Sequence, residues 1–204
     1  MAASTRPDDI RTERDPRVVE RTSGREVVDH DRHGIFQEDI VRSRGARIAL
    51  AALRLVLGFT FLWPFLDKLF GFGYATPSAK AMVNGGTPAQ GFMKHTEGPF
   101  SSMFSSMAGP WADWLFMAGL LAIGVAVLLG AGLKIAAISG TILLFLMYLA
   151  EFPIGQAGKG FTNPIVDSHW IEALGLIVLA ATLAGDTWGL GRWWGRKVGN
   201  GILR

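Results

Sequence analysis

The ionisable side chains beyond residue 45 are few, and most of them lie at the ends of apolar segments. His169 and Glu172 are three positions apart, so a helix would place both on one face. A histidine beside carboxylates can accept and release a proton near neutral pH. These groups, at the border of an apolar environment, therefore indicate proton transfer or the binding of a polar ligand. The acids concerned are Asp67, Glu97, Asp113, Glu151, Asp167, Glu172 and Asp186.

The first apolar segment, residues 46–73, must position several charged groups. It is longer than the roughly 20 residues that cross a bilayer, yet it contains Arg54, Asp67 and Lys68. At about 100° per residue, one helix face carries Arg54, Gly58, Phe61, Phe65 and Lys68, and Asp67 points elsewhere. Two interpretations stay open. Either Arg54 reaches the membrane surface or a carbonyl group while Asp67 and Lys68 mark the end of the span, or this face forms a buried ligand site.

Four segments have the length and hydropathy of membrane spans. Half of the 204 residues are hydrophobic, and the mean hydropathy is +0.29. The connections between the segments are short or rich in turn residues, which favours antiparallel neighbours. The sequence therefore predicts an all-α membrane protein, a four-transmembrane-helix up-down bundle at residues 46–191. The predicted spans are residues 47–72, 111–130, 133–152 and 169–189.

The two tails and the basic residues predict the topology. Residues 1–45 alternate acids and bases without apolar periodicity, which is typical of a disordered tail. Basic side chains cluster beside the first and fourth spans, including the basic tail 192–204, and in the link between the second and third spans. The positive-inside rule then places both termini in the cytoplasm of a multi-pass protein of the cell membrane. The same placement explains a sequence pI near 9.5 without a nucleic-acid partner.

With this topology all of the acids beyond residue 45 except Asp186 fall in the outer half of the bundle, and His169 lies there between Asp167 and Glu172. The outer loop, residues 74–110, is rich in Gly, Pro and Ser and carries spaced apolar residues. Such a loop is expected to fold back onto the membrane surface as short helices. It is either a tethered surface element or a lid over a ligand. A pocket between helices at this depth would suit an amphipathic ligand.

Several of these acids also have structural interpretations. Asp167 could cap the fourth span, and Asp113 and Asp186 are typical of acids at helix ends. Glu151 and Glu172 lie about one turn inside their spans. For them, a ligand site and a buried ion pair with a basic residue of the first span are both open.

The composition limits the redox chemistry of the chain. There is no Cys, which excludes disulfides, thiolate chemistry and iron–sulfur ligation by this chain. A single membrane-proximal His cannot ligate a bis-His haem, and the paired Glu-x-x-His motifs of di-iron bundles are missing from the sequence. We therefore predict no metal, haem or iron–sulfur cluster, so that electrons would pass through a bound organic molecule or a partner.

Several sequence blocks, in order, resemble one family. They are RLVLGFTFLWPFLDKLFGFG, GGTPAQGF, GPF, DWLFMAGLLAIGVAVLLG and NPIVDSHWIEALGLIVLA. Over residues 46–191 the chain resembles the DoxX/DoxD family of small four-helix membrane proteins. The positions that match the family pattern are Arg54, Gly58, Asp67, Lys68, Gly71, Gly86, Pro88, Gly91, Asp113, Asn163, Pro164, Asp167 and His169. The chain departs from the pattern at Ser168, where a second Asp is common, and at Glu172, where Tyr is common.

The resemblance implies a role in sulfur metabolism, as the membrane subunit of a thiosulfate:quinone oxidoreductase. The expected partners are the lipid bilayer, a quinone and a second oxidoreductase subunit, and small residues at four-residue spacing leave a homo-oligomer open. The alternative is a non-catalytic membrane scaffold that recruits redox or stress-response proteins. A small transporter is less favoured, because the sequence has no apparent broken helix or inverted repeat. The expected catalytic residues are Asp67, Lys68, Glu151, Asp167 and His169. The expected quinone contacts are Arg54, Phe61, Phe65 and Glu172.

Overall fold

A computed structural model describes residues 34–155, 160, 163 and 165–204. Residues 1–33 of the predicted tail, 1–45, lie outside this part, whereas its last residues are described and contain a short helix with Gln37 buried. The all-α expectation is confirmed there, since the described residues form helices and no strand. The α-helices are α1 (Gln37–Ile40), α2 (Arg44–Phe70), α3 (Pro88–His95), α4 (Ser101–Met107), α5 (Pro110–Leu129), α6 (Leu133–Ala150), α7 (Ser168–Ala181) and α8 (Gly191–Val198). Short 3-10 helices lie at Ser78–Lys80, Met82–Asn84 and Ala184–Asp186.

Helices α2, α5 and α6 are long and apolar enough to cross a membrane. They have 27, 20 and 18 residues, against the about 20 that a bilayer core requires. Helix α7 is equally apolar in character but has only 14 residues. The described residues therefore contain three candidate spans and one shorter apolar helix. At this coarse level they agree with the membrane protein that the sequence predicts.

The four apolar helices pack side by side. Helix α2 packs against α5 and α7, and α6 packs against α5 and α7. Gly124 on α5 permits one of these close approaches, because a Cβ atom there would lie 2.9 Å from the backbone nitrogen of Leu62. The buried core between the helices includes Leu57, Phe61, Leu120, Ile123, Val127, Leu144, Leu176 and Leu179.

The last apolar helix ends earlier than the sequence predicts. The predicted fourth span reaches residue 189, whereas α7 ends at Ala181. Leu183 then adopts a left-handed conformation with φ of 49°, and a 3-10 helix follows. This change of direction brings Gly185 against Gly130, where a Cβ on Gly185 would lie 2.0 Å from the Gly130 carbonyl oxygen. Helix periodicity in the sequence does not show this contact, because it joins residues distant along the chain.

Candidate ligand-binding site

A cavity of about 350 Å³ lies where α2 ends, α5 begins and α6 ends. Helices α3 and α4 of the loop between α2 and α5 cover it with apolar side chains. The loop therefore forms one wall of the cavity, and α5 and α6 form the other. This volume lies at the lower end of the about 300 to 1,000 Å³ that is usual for small-molecule sites. The lining is almost entirely apolar and includes Phe92, Phe104, Met107, Trp111, Phe116 and Leu146.

Lys68 and Glu151 are the two charged residues among those that line this cavity. Lys68 is half-buried and Glu151 is exposed. Within the described part of the chain, neither side chain makes a hydrogen bond or an ion pair, with the other or with any other residue. A positive and a negative group therefore face one apolar cavity, and neither bonds to another residue that the structure describes. Such an arrangement can hold a ligand with an apolar body and a polar, uncharged head.

Asp67 lies beside Lys68 in the sequence, but its side chain binds the backbone of the outer loop. Its Oδ2 atom accepts hydrogen bonds from the backbone N–H groups of Ala75 (2.9 Å) and Thr76 (2.8 Å), and the side chain is buried. Its Oδ1 atom has no hydrogen-bond partner among the residues described. The geometry thus gives this carboxylate a clear role in holding the start of the outer loop.

Asp113 holds the middle of the same loop. Its Oδ1 atom accepts from the backbone N–H groups of Ala89 (2.7 Å) and Gln90 (3.0 Å), and Oδ2 accepts from the Gln90 amide (2.5 Å). Thr87, the residue in the N-cap position of α3, makes no capping bond with its own side chain. Asp113 therefore caps α3 from another helix, and this fixes the helix over the cavity.

Arg54 lies at the opposite end of α2 from Lys68. It is 0% exposed, and its guanidinium donates to the carbonyl oxygens of Val127 and Leu128, which end α5, and to those of Thr187 (3.4 Å) and Trp188 (2.8 Å). The unpaired carbonyl groups at a helix C-terminus carry partial negative charge, which a guanidinium neutralises. Arg54 therefore binds carbonyl groups, one of the two interpretations open from sequence, and it does not line the Lys68 cavity.

His169 and Asp167 form a pair on α7. Asp167 caps the helix by accepting from the His169 backbone N–H (3.0 Å), and its Oδ2 atom lies 2.7 Å from His169 Nδ1. His169 lines a second cavity of about 50 Å³ with Tyr148 and Trp170. The structure therefore brings His169 and Asp167 together, but the residues that line the Lys68 cavity include neither of them.

The remaining predicted contacts lie elsewhere. Phe61 is buried in the core between the helices, and Phe65 packs against that core. Glu172 lies half-buried on the first turns of α7, near His169. None of the three lines the Lys68 cavity. Of the nine predicted site residues, Lys68 and Glu151 are the pair that this cavity brings together.

The sequence did not identify a polar cluster at the other end of the molecule. Asp186 and Arg204 form a buried ion pair with a 2.9 Å contact, and the Gln37 backbone N–H donates to the same carboxylate oxygen. Nearby, Arg192 binds both carboxylate oxygens of Glu38 at 2.5 Å. Burial opposes ionisation of Glu38, but a backbone hydrogen bond and Arg192 outweigh it and lower the pKa of this carboxyl. The one available signal was the basic character of residues 192–204.

The sequence left two interpretations of the outer loop open, a tethered surface element and a lid over a ligand. Phe92, Phe104 and Met107 of this loop line the cavity together with α6, a contact that their distance from α6 along the chain hides. No cluster of three or more metal-ligating side chains occurs in the ranges that the structure describes. Searches against family models, curated proteins and solved structures gave no match to this chain.

Proposed function

We propose that this protein is a multi-pass protein of the cell membrane with four spans and both termini in the cytoplasm. The three long apolar helices support this, and the apolar helix α7 packs against two of them, α2 and α6. After the turn at Leu183 the chain continues through a 3-10 helix to Trp188, and we place this segment at the cytoplasmic end of the fourth crossing. Arg42, Arg44, Lys134, Arg196 and Lys197 then share the cytoplasmic side, as the positive-inside rule requires.

We further propose that it interacts with a quinone as the membrane subunit of a thiosulfate:quinone oxidoreductase of the DoxX/DoxD type. The observation that carries this proposal is the apolar cavity lined by Lys68 and Glu151, neither of which makes a hydrogen bond or an ion pair with another described residue. A quinone has an apolar ring and two carbonyl oxygens, which accept hydrogen bonds. Reduction to the quinol takes up two electrons and two protons. Lys68 would donate a hydrogen bond to one oxygen, and Glu151 would pass protons from water to the reduced quinone, one for each oxygen. The electrons come from thiosulfate through a second oxidoreductase subunit.

The proposal is tested by thiosulfate-dependent quinone reduction with the full chain, purified together with its redox partner. Wild-type protein should reduce a soluble quinone, and Lys68→Met should reduce activity at least tenfold. Lys80→Met is the matched control, because Lys80 is an exposed lysine of the outer loop that does not line the cavity. A complex that retains its partner but neither binds nor reduces quinone would contradict the proposal and favour the scaffold.

A further inference from the structure

The cavity opens between two neighbouring helices toward the outside of the bundle. Trp111 and Leu115 on α5 and Leu146 on α6 line the cavity, yet they are 53%, 65% and 38% exposed. A side chain that both lines a cavity and faces outward lies at its rim. Phe92 of α3 and Met107 of α4 also line the cavity and are 44% and 38% exposed. The rim of the cavity therefore includes side chains of α5 and α6, which are candidate membrane spans, and side chains of the loop helices α3 and α4.

The connection between α5 and α6 explains the position of the opening. These helices are joined at their other end by a short link, residues 130–132, so they are held together there. The cavity lies at the far end of the pair, next to the beginning of α5 and the end of α6. Because α5 and α6 are candidate membrane spans, an opening between them faces lipid.

The charges that line the cavity limit the head group of the ligand. An isolated lysine would favour an anion such as a fatty acid carboxylate. Glu151 in the same cavity opposes a second negative charge, so the pair with Lys68 favours a neutral head that accepts a hydrogen bond. A cavity of about 350 Å³ has room for a ring and a short part of a chain, and a longer apolar tail must leave through the opening.

On the basis of the proposed function, we infer that the site takes a long-chain isoprenoid quinone that enters sideways from the bilayer between α5 and α6. Its head lies between Lys68 and Glu151, and its tail passes the rim formed by Trp111, Leu115 and Leu146 into the lipid. The rim residues therefore determine which quinones reach the site. Because its tail stays in the lipid, a long-chain quinone must enter between α5 and α6. Water-soluble quinones have no such tail and can reach the site by another route.

The test compares two naphthoquinones, one without a tail and one with a long isoprenoid tail, in nanodiscs of phosphatidylcholine and phosphatidylglycerol. The double substitution Leu115→Trp and Leu146→Trp narrows the opening. It should raise the Kd of the long-tailed quinone at least tenfold and change that of the tail-less quinone less than twofold. Leu174→Trp is the matched control, because Leu174 is a 57% exposed residue of α7 that does not line the cavity. It should change neither Kd.

The outcomes separate the two proposals. If the wild-type protein binds neither quinone, the proposed function is overturned. If it binds both, and the rim substitutions affect both equally or neither, the sideways entry is overturned and the proposed function stands. If the rim variant does not fold, a second measurement uses the wild-type protein alone. A long-tailed quinone with a photoreactive group near the ring end of its tail should label α5 and α6 near the rim. Labelling of α3 and α4 instead would overturn the inference.

Discussion

Arg54 and Lys68 lie on one predicted face of α2 but have different surroundings. Arg54 and Lys68 are about four turns apart. Arg54 is completely buried, and its guanidinium binds carbonyl oxygens from α5 and from the chain after α7. Lys68 lies in an apolar cavity and has no hydrogen bond or ion pair with any described residue. The first group is therefore expected to stabilise the fold, and the second is expected to bind a ligand.

Replacing Arg54 by Gln should destabilise the protein strongly. The variant removes the guanidinium donors from carbonyl oxygens at the end of α5 and after α7, and each buried group that is left unsatisfied costs about 1–3 kcal/mol. Thermal unfolding in detergent should show a clear fall in Tm. Arg44→Gln is the control, because Arg44 is exposed at the start of the same helix and should leave Tm unchanged. Equal Tm values for the two variants would contradict the structural role of Arg54.

Replacing Lys68 by Met should leave stability unchanged and abolish ligand binding. Met keeps an apolar side chain of similar length, and no described acid loses an ion-pair partner. Wild-type protein should gain Tm on addition of a soluble quinone analogue, since a ligand that binds only the folded state stabilises it. Lys68→Met should have the wild-type Tm without the analogue and no gain with it. A large fall in Tm with the gain retained would show that Lys68 is structural.

At the scale of elements, two carboxylates hold the outer loop over the bundle. Asp67 binds the backbone where the loop begins, and Asp113 caps α3 from the first turn of α5. The partial positive charges at the N-termini of α3 and α5 both favour the carboxylate of Asp113. Helix α3 has eight residues, too few to be stable in isolation. Its position over the cavity therefore depends on Asp113 and on the apolar contacts of its inner face.

Replacing Asp113 by Ala should loosen α3 without unfolding the bundle. Loss of an N-cap typically costs about 0.5–2 kcal/mol. Hydrogen exchange of the amides of Pro88–His95 should increase, while exchange within α5 and α6 stays as in the wild type. Thr87→Ala is the matched control, because Thr87 occupies the N-cap position but its side chain makes no capping bond. Increased exchange in both variants would show that the effect is not specific to the Asp113 cap.

At the scale of the whole molecule, the proposed topology assigns opposite ends of the bundle to opposite sides of the membrane. Lys68, Glu151 and the outer loop lie at one end, and Arg54 and the ion pair of Asp186 with Arg204 lie at the other. The first end would face outward and the second would face the cytoplasm. The proposed quinone site would therefore lie in the outer leaflet.

Single cysteines test this topology directly, because the chain has no Cys of its own. Ser102→Cys lies on α4 in the outer loop and is exposed, whereas Ser23→Cys lies in the predicted cytoplasmic tail, outside the described residues. An impermeant thiol reagent added to intact cells should label Ser102→Cys alone. Ser23→Cys should react only after the membrane is opened. Labelling of both residues in intact cells would overturn the proposed arrangement of four spans.

The sequence by itself determined the long apolar helices, and it selected Lys68 and Glu151 as candidates. Helices α2, α5 and α6 begin and end within about three residues of the predicted spans, since hydrophobic runs and helical hydrogen bonds are local along the chain. Only the tertiary structure decided which charged groups share a cavity. The tertiary structure also decided that α7 ends at Ala181, earlier than predicted. These features depend on contacts between residues far apart in the chain, and helix periodicity carries no information about them.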